Sequence, residues 1–362
     1  MKKSGKKLGI AGIALFLSMS MLVGCGSGGN QSAQPQSENK TENTAASSSQ
    51  YTKENPVVIR VAHQLIPDSQ LDKTFQKCKE VAEAKSDGRL KVEIYPSGQL
   101  YSEKEVPAQV QKGTLEVGMA SASLWSGIAP AAGIFDVPYL FESYDQIHQA
   151  IDGEIGKIVT EELEKVGAKP IIYPDYGFVH MSINNIPSGD GTKPEDYKGA
   201  KIRVLGKMSA TAVQAMGAAP VFMGGNEVYL ALQKGTVDGA MTGLTTMAER
   251  KYYDVQDYIV FNKVSNLQFI AAISTKFYDS LPEDLQKVID EAGVEAQNHS
   301  RTIFPEEEEK AIAELKANMK AVEIQDLTPW KALNKVAKEE YIKQVGETGQ
   351  KLIEEAEKIS GK

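Results

Sequence analysis

The stretch Val57-Val58-Ile59-Arg60-Val61-Ala62 is the key to the fold of this chain, because its β-branched residues predict a buried strand. A helical pattern follows over 69–85. The same order is then repeated by a strand-like run at 90–95, a helix at 103–112 and a strand at 117–120. A β-α-β-α-β order of this kind predicts an α/β lobe with a largely parallel sheet.

A second α/β unit follows in the chain. Its strand-like runs lie at 170–173, 179–183, 201–204, 220–223 and 237–241, with helical stretches at 208–216 and 226–234 among them. Two such units of similar size, joined by more than one crossing of the chain, predict two lobes with a cleft between them. Clefts between lobes are preferred ligand sites, so we expect the functional residues there.

The C-terminal quarter is charged and helical. From Pro282 onward, apolar residues such as Leu285, Ile289 and Ala292 recur at a spacing that lays one stripe along a helix. The stripe continues beyond Pro305, and a proline inside a helix predicts either a kink or a break into two helices.

The N-terminus predicts export and anchoring. Four lysines within residues 1–7 precede an apolar run over 8–23 that ends in Leu22-Val23-Gly24-Cys25. A basic segment, an apolar core and small residues before a cleavage point are typical of a signal peptide, and the LVGC ending resembles a bacterial lipobox. We therefore predict a signal peptide over 1–24, a lipidated Cys25 and a flexible Ser/Gln/Asn-rich tether over 25–55. An uncleaved membrane anchor is the alternative.

Composition and motifs limit the possible functions. The net charge of −8 becomes −12 once the four leader lysines are removed, which argues against nucleic acid as a partner because phosphates would be repelled. Cys78 is the only cysteine besides Cys25, and the four scattered histidines have no metal-ligand spacing. The GxSxG, Walker A and HExxH motifs of enzymes do not occur. We therefore expect no catalytic residues, no metal and no other cofactor.

Seven short motifs occur in a particular order along the chain. They are YPSGQL at 95–100, QKGTLE at 111–116, DVPYLF at 136–141, DYKGAKIRV at 196–204, EVYLALQ at 227–233, VDG at 237–239 and LPEDLQ at 281–286. Each motif alone is a weak signal. Together they resemble the substrate-binding subunits of TRAP transporters (tripartite ATP-independent periplasmic transporters), the DctP-like family.

The resemblance implies a fold and a task. The fold is a two-lobed, type II-like periplasmic-binding-protein clamp of the α/β class, with a long C-terminal helix bracing both lobes. One lobe is expected to comprise 56–178 plus about 268–305, and the other 179–267 plus about 306–362. The task is that of an extracytoplasmic, lipid-anchored receptor that captures a small organic acid for TRAP membrane subunits driven by an ion gradient. A sensory protein docking on a signalling receptor is the alternative, and an exported enzyme is a more distant one.

The resemblance places the central ligand residue at Arg203, in the KIRV run. A planar guanidinium can bind a carboxylate through two parallel hydrogen bonds, and it stays charged when it is desolvated. From the local pattern alone, Arg203 alternates with Ile202 and Val204, which equally allows it to face solvent.

Further candidate ligand-binding residues follow from the same resemblance. Glu103 matches a position that can contact polar ligand groups, although a solvated helix start explains it equally well. Trp125 follows a predicted strand, where an aromatic ring could stack on a ligand, although a buried tryptophan is more often a core residue. The remaining candidates are Ser121, Phe222, His63 and Gln64, which lie at strand ends or at the predicted pocket wall.

Two candidate positions depart from the family pattern. Val179 stands where many members have a second arginine, and Thr242 stands where many have an asparagine. The missing arginine weakens the case for a sialic acid, a sugar acid or a C4-dicarboxylate that needs doubled charge recognition. A monocarboxylate with an apolar or aromatic body fits Val179, Met241 and Trp125 better.

Overall fold

The computed structural model describes residues 50–361. The predicted signal peptide, the lipidation site Cys25 and the tether as far as residue 49 lie outside the described residues. The strands are β1 (Val57–Ala62), β2 (Leu90–Tyr95), β3 (Val117–Ser121), β4 (Ala168–Ile172), β5 (Val179–Ile183), β6 (Lys201–Val204), β7 (Ala219–Phe222), β8 (Gly239–Gly243), β9 (Tyr258–Phe261), β10 (Phe269–Ser274) and β11 (Lys320–Glu323).

The helices fill the connections between these strands and form the C-terminal part. They are α1 (Gln70–Lys85), α2 (Val106–Lys112), α3 (Ala122–Trp125), α4 (Tyr144–Asp152), α5 (Glu154–Lys165), α6 (Lys207–Ala215), α7 (Gly225–Gln233), α8 (Leu244–Glu249), α9 (Thr275–Tyr278), α10 (Glu283–Asn318), α11 (Thr328–Lys331), α12 (Asn334–Val345) and α13 (Glu347–Ser360). Three short 3-10 helices cover Pro130–Asp136, Pro194–Tyr197 and Tyr252–Asp254. None of the described helices combines the length and the apolar character needed to cross a membrane.

Local chemistry explains where two of the helices begin. The Ser69 hydroxyl accepts a hydrogen bond from the backbone N–H of Asp72 at 3.2 Å, which caps the first turn of α1. The helix predicted from residue 103 is shorter than expected and begins at Val106, where Pro107 occupies the first turn that suits proline. Glu103 therefore lies in the loop before α2.

Each lobe is built on one sheet. The first sheet has the order β2-β1-β3-β10-β4, and the second has the order β11-β9-β5-β8-β6-β7. In the first sheet only β10 runs against its neighbours, and in the second only β5 does so. The prediction of largely parallel sheets is therefore confirmed. The two antiparallel strands are those that follow a crossing of the chain from one lobe to the other.

The two crossings run side by side and are hydrogen-bonded to each other. The backbone N–H of Val179 donates to the carbonyl of Ser265 at 2.7 Å, and that of Val264 donates to the carbonyl of Val179 at 2.9 Å. Phe178 and Asn266 form a further antiparallel bridge. In each lobe, ligand residues are expected at the carboxyl ends of the parallel strands. These are the ends of β1 and β3 in one lobe and of β6 and β8 in the other.

The long helix α10 braces both lobes, as predicted. It packs against α1 and β4 of the first lobe and against α8 of the second. It approaches β4 closely at Gly293, where an added Cβ would come within 2.3 Å of the carbonyl oxygen of Ile171. The alternative of a break at Pro305 is wrong, because α10 runs through that residue without interruption. Pro305 is exposed while Phe304 is buried, so water can solvate the carbonyl that the proline leaves unpaired.

Candidate ligand-binding site

A cavity lies between the two lobes and has walls from both. The first lobe and the crossings contribute Gln64, Leu65, Glu103, Tyr176, Leu267 and Phe269, and the second lobe contributes Arg203, Leu205, Gly225, Thr242, Thr246, Arg250 and Tyr252. Its volume is about 20 Å³, which is close to the space that one water molecule needs. An organic acid can therefore enter only when the walls move apart, so the clamp is closed in this structure.

Arg203 is a buried cation in the wall of this cavity. It lies near the end of β6, and its side chain is almost fully buried. Its Nε and Nη2 atoms donate to the carbonyl of Met223 at 3.1 and 3.0 Å, and Nη1 donates to the carbonyl of Met241 at 3.1 Å. These bonds use three of the five guanidinium N–H groups and hold the side chain in place.

No carboxylate within residues 50–361 forms an ion pair with Arg203. Burial lowers the pKa of Arg203, although guanidinium groups remain charged in proteins. A buried cation without an anionic partner carries an uncompensated desolvation cost. A ligand carboxylate could offset that cost by accepting the remaining N–H groups.

Glu103 faces Arg203 from the first lobe. Its Oε1 atom accepts a hydrogen bond from the backbone N–H of Ser121 at 3.1 Å, so Ser121 orients the carboxyl from the end of β3. Burial raises the pKa of Glu103, whereas this hydrogen bond and the positive charges of Arg203 and Arg250 act to lower it. Glu103 is buried in the structure, which excludes the alternative of a solvated helix start.

Arg250 is a further residue of the cavity wall that the sequence did not reveal. It follows α8, and its Nη1 atom donates to the carbonyl of Gly225 at 2.7 Å. Its Nη2 atom donates to the Asn226 side chain at 3.1 Å and, across the cleft, to the carbonyl of Gln64 at 3.0 Å. The arginine that is missing at Val179 therefore does not leave Arg203 as the one guanidinium in the cavity wall, because Arg250 supplies a second one from another element.

Several polar atoms in the cavity wall have no hydrogen-bond partner among the described residues. They are Oε1 of Gln64, Oγ1 of Thr246 and Nε of Arg250, and all three are buried. Buried polar atoms in native proteins are nearly always hydrogen-bonded, so unpaired atoms at one place indicate a site for a polar ligand.

The structure brings four of the predicted residues into the cavity wall and keeps the others out of it. Gln64, Glu103, Arg203 and Thr242 line the cavity, while Ser121 supports Glu103 from behind. His63 and Trp125 do not line it. The His63 ring bonds Oδ1 of Asp72 and stacks on Phe75, and the Trp125 indole donates to the carbonyl of Ile270 within the core.

Two further candidates also lie outside the cavity. Val179 is buried in β5, where it is paired with Gly243 of β8 and packs in the apolar core. Phe222 is 57% exposed and lines a separate surface groove beside Val336. Strand periodicity predicts which face a residue takes, but it does not predict which face of a lobe meets the cleft.

A cavity between two α/β lobes, with a buried arginine in its wall, is typical of two-lobed proteins that bind small ligands. A family model described as "Bacterial extracellular solute-binding protein, family 7", the DctP family, matches residues 61–344. The chain therefore belongs to this family of solute-binding proteins, and its predicted kinship with TRAP transporter subunits is confirmed. The family is one of receptors and not a class of enzymes.

Individual relatives agree with this assignment. The chain is 32% identical over 263 residues to the C4-dicarboxylate-binding periplasmic protein DctP of Rhodobacter capsulatus, covering 72% of this chain and 78% of the relative. It resembles the TRAP periplasmic solute-binding protein of Sulfurospirillum deleyianum with bound succinate, with a TM-score of 0.77, 27% identity and coverage of 83% and 98%.

A second solved structure is equally similar in fold. The sugar acid binding protein DctPAm of Advenella mimigardefordensis, in complex with galactonate, superimposes with a TM-score of 0.78 at 26% identity. The match covers 84% of this chain and 99% of that chain. These structures confirm the two-lobed fold class that the sequence predicted.

Proposed function

We propose that this chain captures a small organic acid outside the cytoplasm and delivers it to the membrane subunits of a TRAP transporter, and that the acid is bound through its carboxylate by Arg203. The observation that carries this proposal is the buried guanidinium of Arg203, which has backbone partners but no ion-pair partner among residues 50–361. Relatives described with C4-dicarboxylates, succinate and galactonate support an acid as the ligand.

Binding is coupled to closure of the clamp. In the open form water solvates Arg203, and a ligand carboxylate replaces that water with two charge-assisted hydrogen bonds. Contacts from the other lobe then favour the closed form, because the ligand binds both walls only when they are close together. Membrane subunits that recognise the closed form would receive more loaded than empty receptor, because the ligand raises the population of that form. The chain acts by binding alone, without catalysis.

The predicted lipidation of Cys25 supports a receptor tethered at the membrane surface. A tether of about 30 residues that cannot form a core would keep the folded part mobile near its transporter. Mass spectrometry of the protein isolated from membranes tests this part of the proposal. A mature chain that begins at Cys25 with attached acyl groups is expected, and an unmodified Cys25 would contradict it.

Calorimetric titration with a panel of organic acids tests the role of Arg203. Arg203→Ala should weaken binding by about tenfold or more, because a charge-assisted pair is lost. Arg203→Lys keeps the charge but loses the planar fork, so we expect an intermediate affinity. Arg89→Ala is the matched control, since Arg89 pairs with Asp284 and does not line the cavity. Equal affinity of wild type and Arg203→Ala would show that another residue anchors the acid.

A further inference from the structure

The charged groups of the cavity are unevenly divided between the lobes. Arg203 and Arg250 belong to the second lobe, and Glu103 belongs to the first. With both arginines charged and Glu103 ionised, the lining carries two positive charges and one negative charge. The cavity therefore has a surplus of a single positive charge, which one carboxylate is sufficient to neutralise.

Neighbouring ionisable groups do not increase this surplus. Glu249 precedes Arg250, and burial raises its pKa to about 7, so ionisation of Glu249 would reduce the positive balance further. At the mouth of the cleft, Lys104 and Glu227 lie 3.8 Å apart and offset each other. The side chains of these two residues are both half exposed or more, so water screens them. With Glu103 ionised, these charges leave one unpaired cation for a ligand.

We propose that Glu103 is a specificity-determining residue that restricts this cavity to acids carrying one negative charge. The proposal rests on the proposed function, since it concerns the ligand of the same site. A second ligand carboxylate would share a buried cavity with Glu103, where like charges repel more strongly than in water because the effective dielectric constant is lower. Family membership leaves the question open, because relatives are described with both a dicarboxylate and a sugar acid.

The unpaired atoms of the cavity indicate what the rest of the ligand carries. Oε1 of Gln64 can only accept a hydrogen bond, and Oγ1 of Thr246 can accept one. Nε of Arg250 can only donate. Hydroxyl groups on the ligand both donate and accept, whereas a second carboxylate only accepts. A hydroxylated acid with one carboxylate therefore fits this set of partners and the charge balance together.

Matched pairs of probes test the proposal by calorimetry at neutral pH. Galactonate and galactarate are six-carbon hydroxy acids with one and two carboxylates, and succinamate and succinate form a smaller pair of the same kind. We expect the wild-type protein to bind the singly charged member of a pair at least about tenfold more tightly, because like charges in a desolvated site repel. Glu103→Gln should reduce that discrimination by about tenfold or more, since the glutamine oxygen can still accept the Ser121 N–H without the charge.

Two further variants separate the charge of Glu103 from its structural role. Glu103→Asp keeps the negative charge and should keep the discrimination. Glu105→Gln removes a charge from an exposed residue that bonds Ser102 outside the cavity, and it should leave both affinities unchanged. Thermal unfolding of each variant checks that the fold is intact.

The outcomes distinguish the inference from the proposed function. A wild-type preference for galactarate or succinate, or a Glu103→Gln variant with unchanged discrimination, would overturn the role of Glu103 while leaving an acid receptor in place. Loss of discrimination in Glu103→Asp as well would assign the effect to packing and would also overturn it. Failure of the wild type to bind any of the four acids would count against the proposed function itself.

Discussion

Arg250→Ala is expected to shift the ligand-free clamp towards its open form. The guanidinium of Arg250 donates three hydrogen bonds, and two of them, to Gly225 and Asn226, stay within the second lobe. The third, from Nη2 to the carbonyl of Gln64 at 3.0 Å, joins the two lobes. Of these three bonds, only this one breaks when the clamp opens, so it is the bond that changes the balance between the open and closed forms.

The size of the effect follows from that single bond. A hydrogen bond that involves a charged group contributes about 1.5–3 kcal/mol to the state in which it is made. Because each 1.4 kcal/mol corresponds to about a factor of ten in an equilibrium constant, the ratio of closed to open forms should fall by about 10- to 100-fold. The Asn226 side chain also donates to the carbonyl of Ser97 across the cleft, but this longer, exposed bond of 3.3 Å contributes less.

Small-angle X-ray scattering of the ligand-free protein is the direct assay. The Arg250→Ala variant should have a larger radius of gyration than the wild type, and added ligand should reduce the difference. Stopped-flow measurement should show faster ligand dissociation, since the closed form is less favoured. Arg89→Ala again serves as the control, because the ion pair between Arg89 and Asp284 does not cross the cleft. Identical scattering curves for wild type and Arg250→Ala would refute the assignment of Arg250 as a link between the lobes.

Two further predictions concern stability. Asp136 is buried and accepts a hydrogen bond from Ser123, and burial raises its pKa from 3.8 to about 7. Between these two values the native state holds a proton that the unfolded chain releases. The free energy of unfolding should therefore fall by up to about 4 kcal/mol as the pH rises from about 4 to about 7. Asp136→Asn should flatten this decline in chemical denaturation at pH 5 and pH 8, and an unchanged pH slope would contradict it. Pro305→Ala should raise the free energy of unfolding by about 1–3 kcal/mol, because it restores a hydrogen bond within α10. A lower free energy of unfolding in chemical denaturation would show that Pro305 is required for packing.

Several features were predictable because they depend on local pattern. The strands β1, β2 and β5 begin and end where the sequence indicates, and the long C-terminal helix is present. Pro305 shows the limit of such patterns. The expectation of a break at a proline considers one lost hydrogen bond, but not the packing of α10 against both lobes, which keeps the helix continuous. The start of α2 at Val106 in place of residue 103 is a smaller difference, and it agrees with the preference of Pro107 for the first turn of a helix.

The candidate site was predictable only in part. Arg203 was identified through a resemblance, and Gln64, Glu103 and Thr242 also line the cavity. The local pattern could not distinguish these residues from their neighbours, because alternation along a strand specifies a face and not what that face contacts.

By itself, the sequence determined the order of the first eight described strands, the two-lobed class and the acidic, cysteine-poor character of the chain, because these depend on residues close together in the chain. Only the tertiary structure decided which charges share the cavity. Arg250 and Gln64 are hydrogen-bonded although 186 positions separate them, and Glu103 meets the arginines of the other lobe. Such contacts depend on how the two sheets, the connections between the lobes and the long helix α10 pack together. This packing is a property of the whole chain, and no short stretch of sequence encodes it.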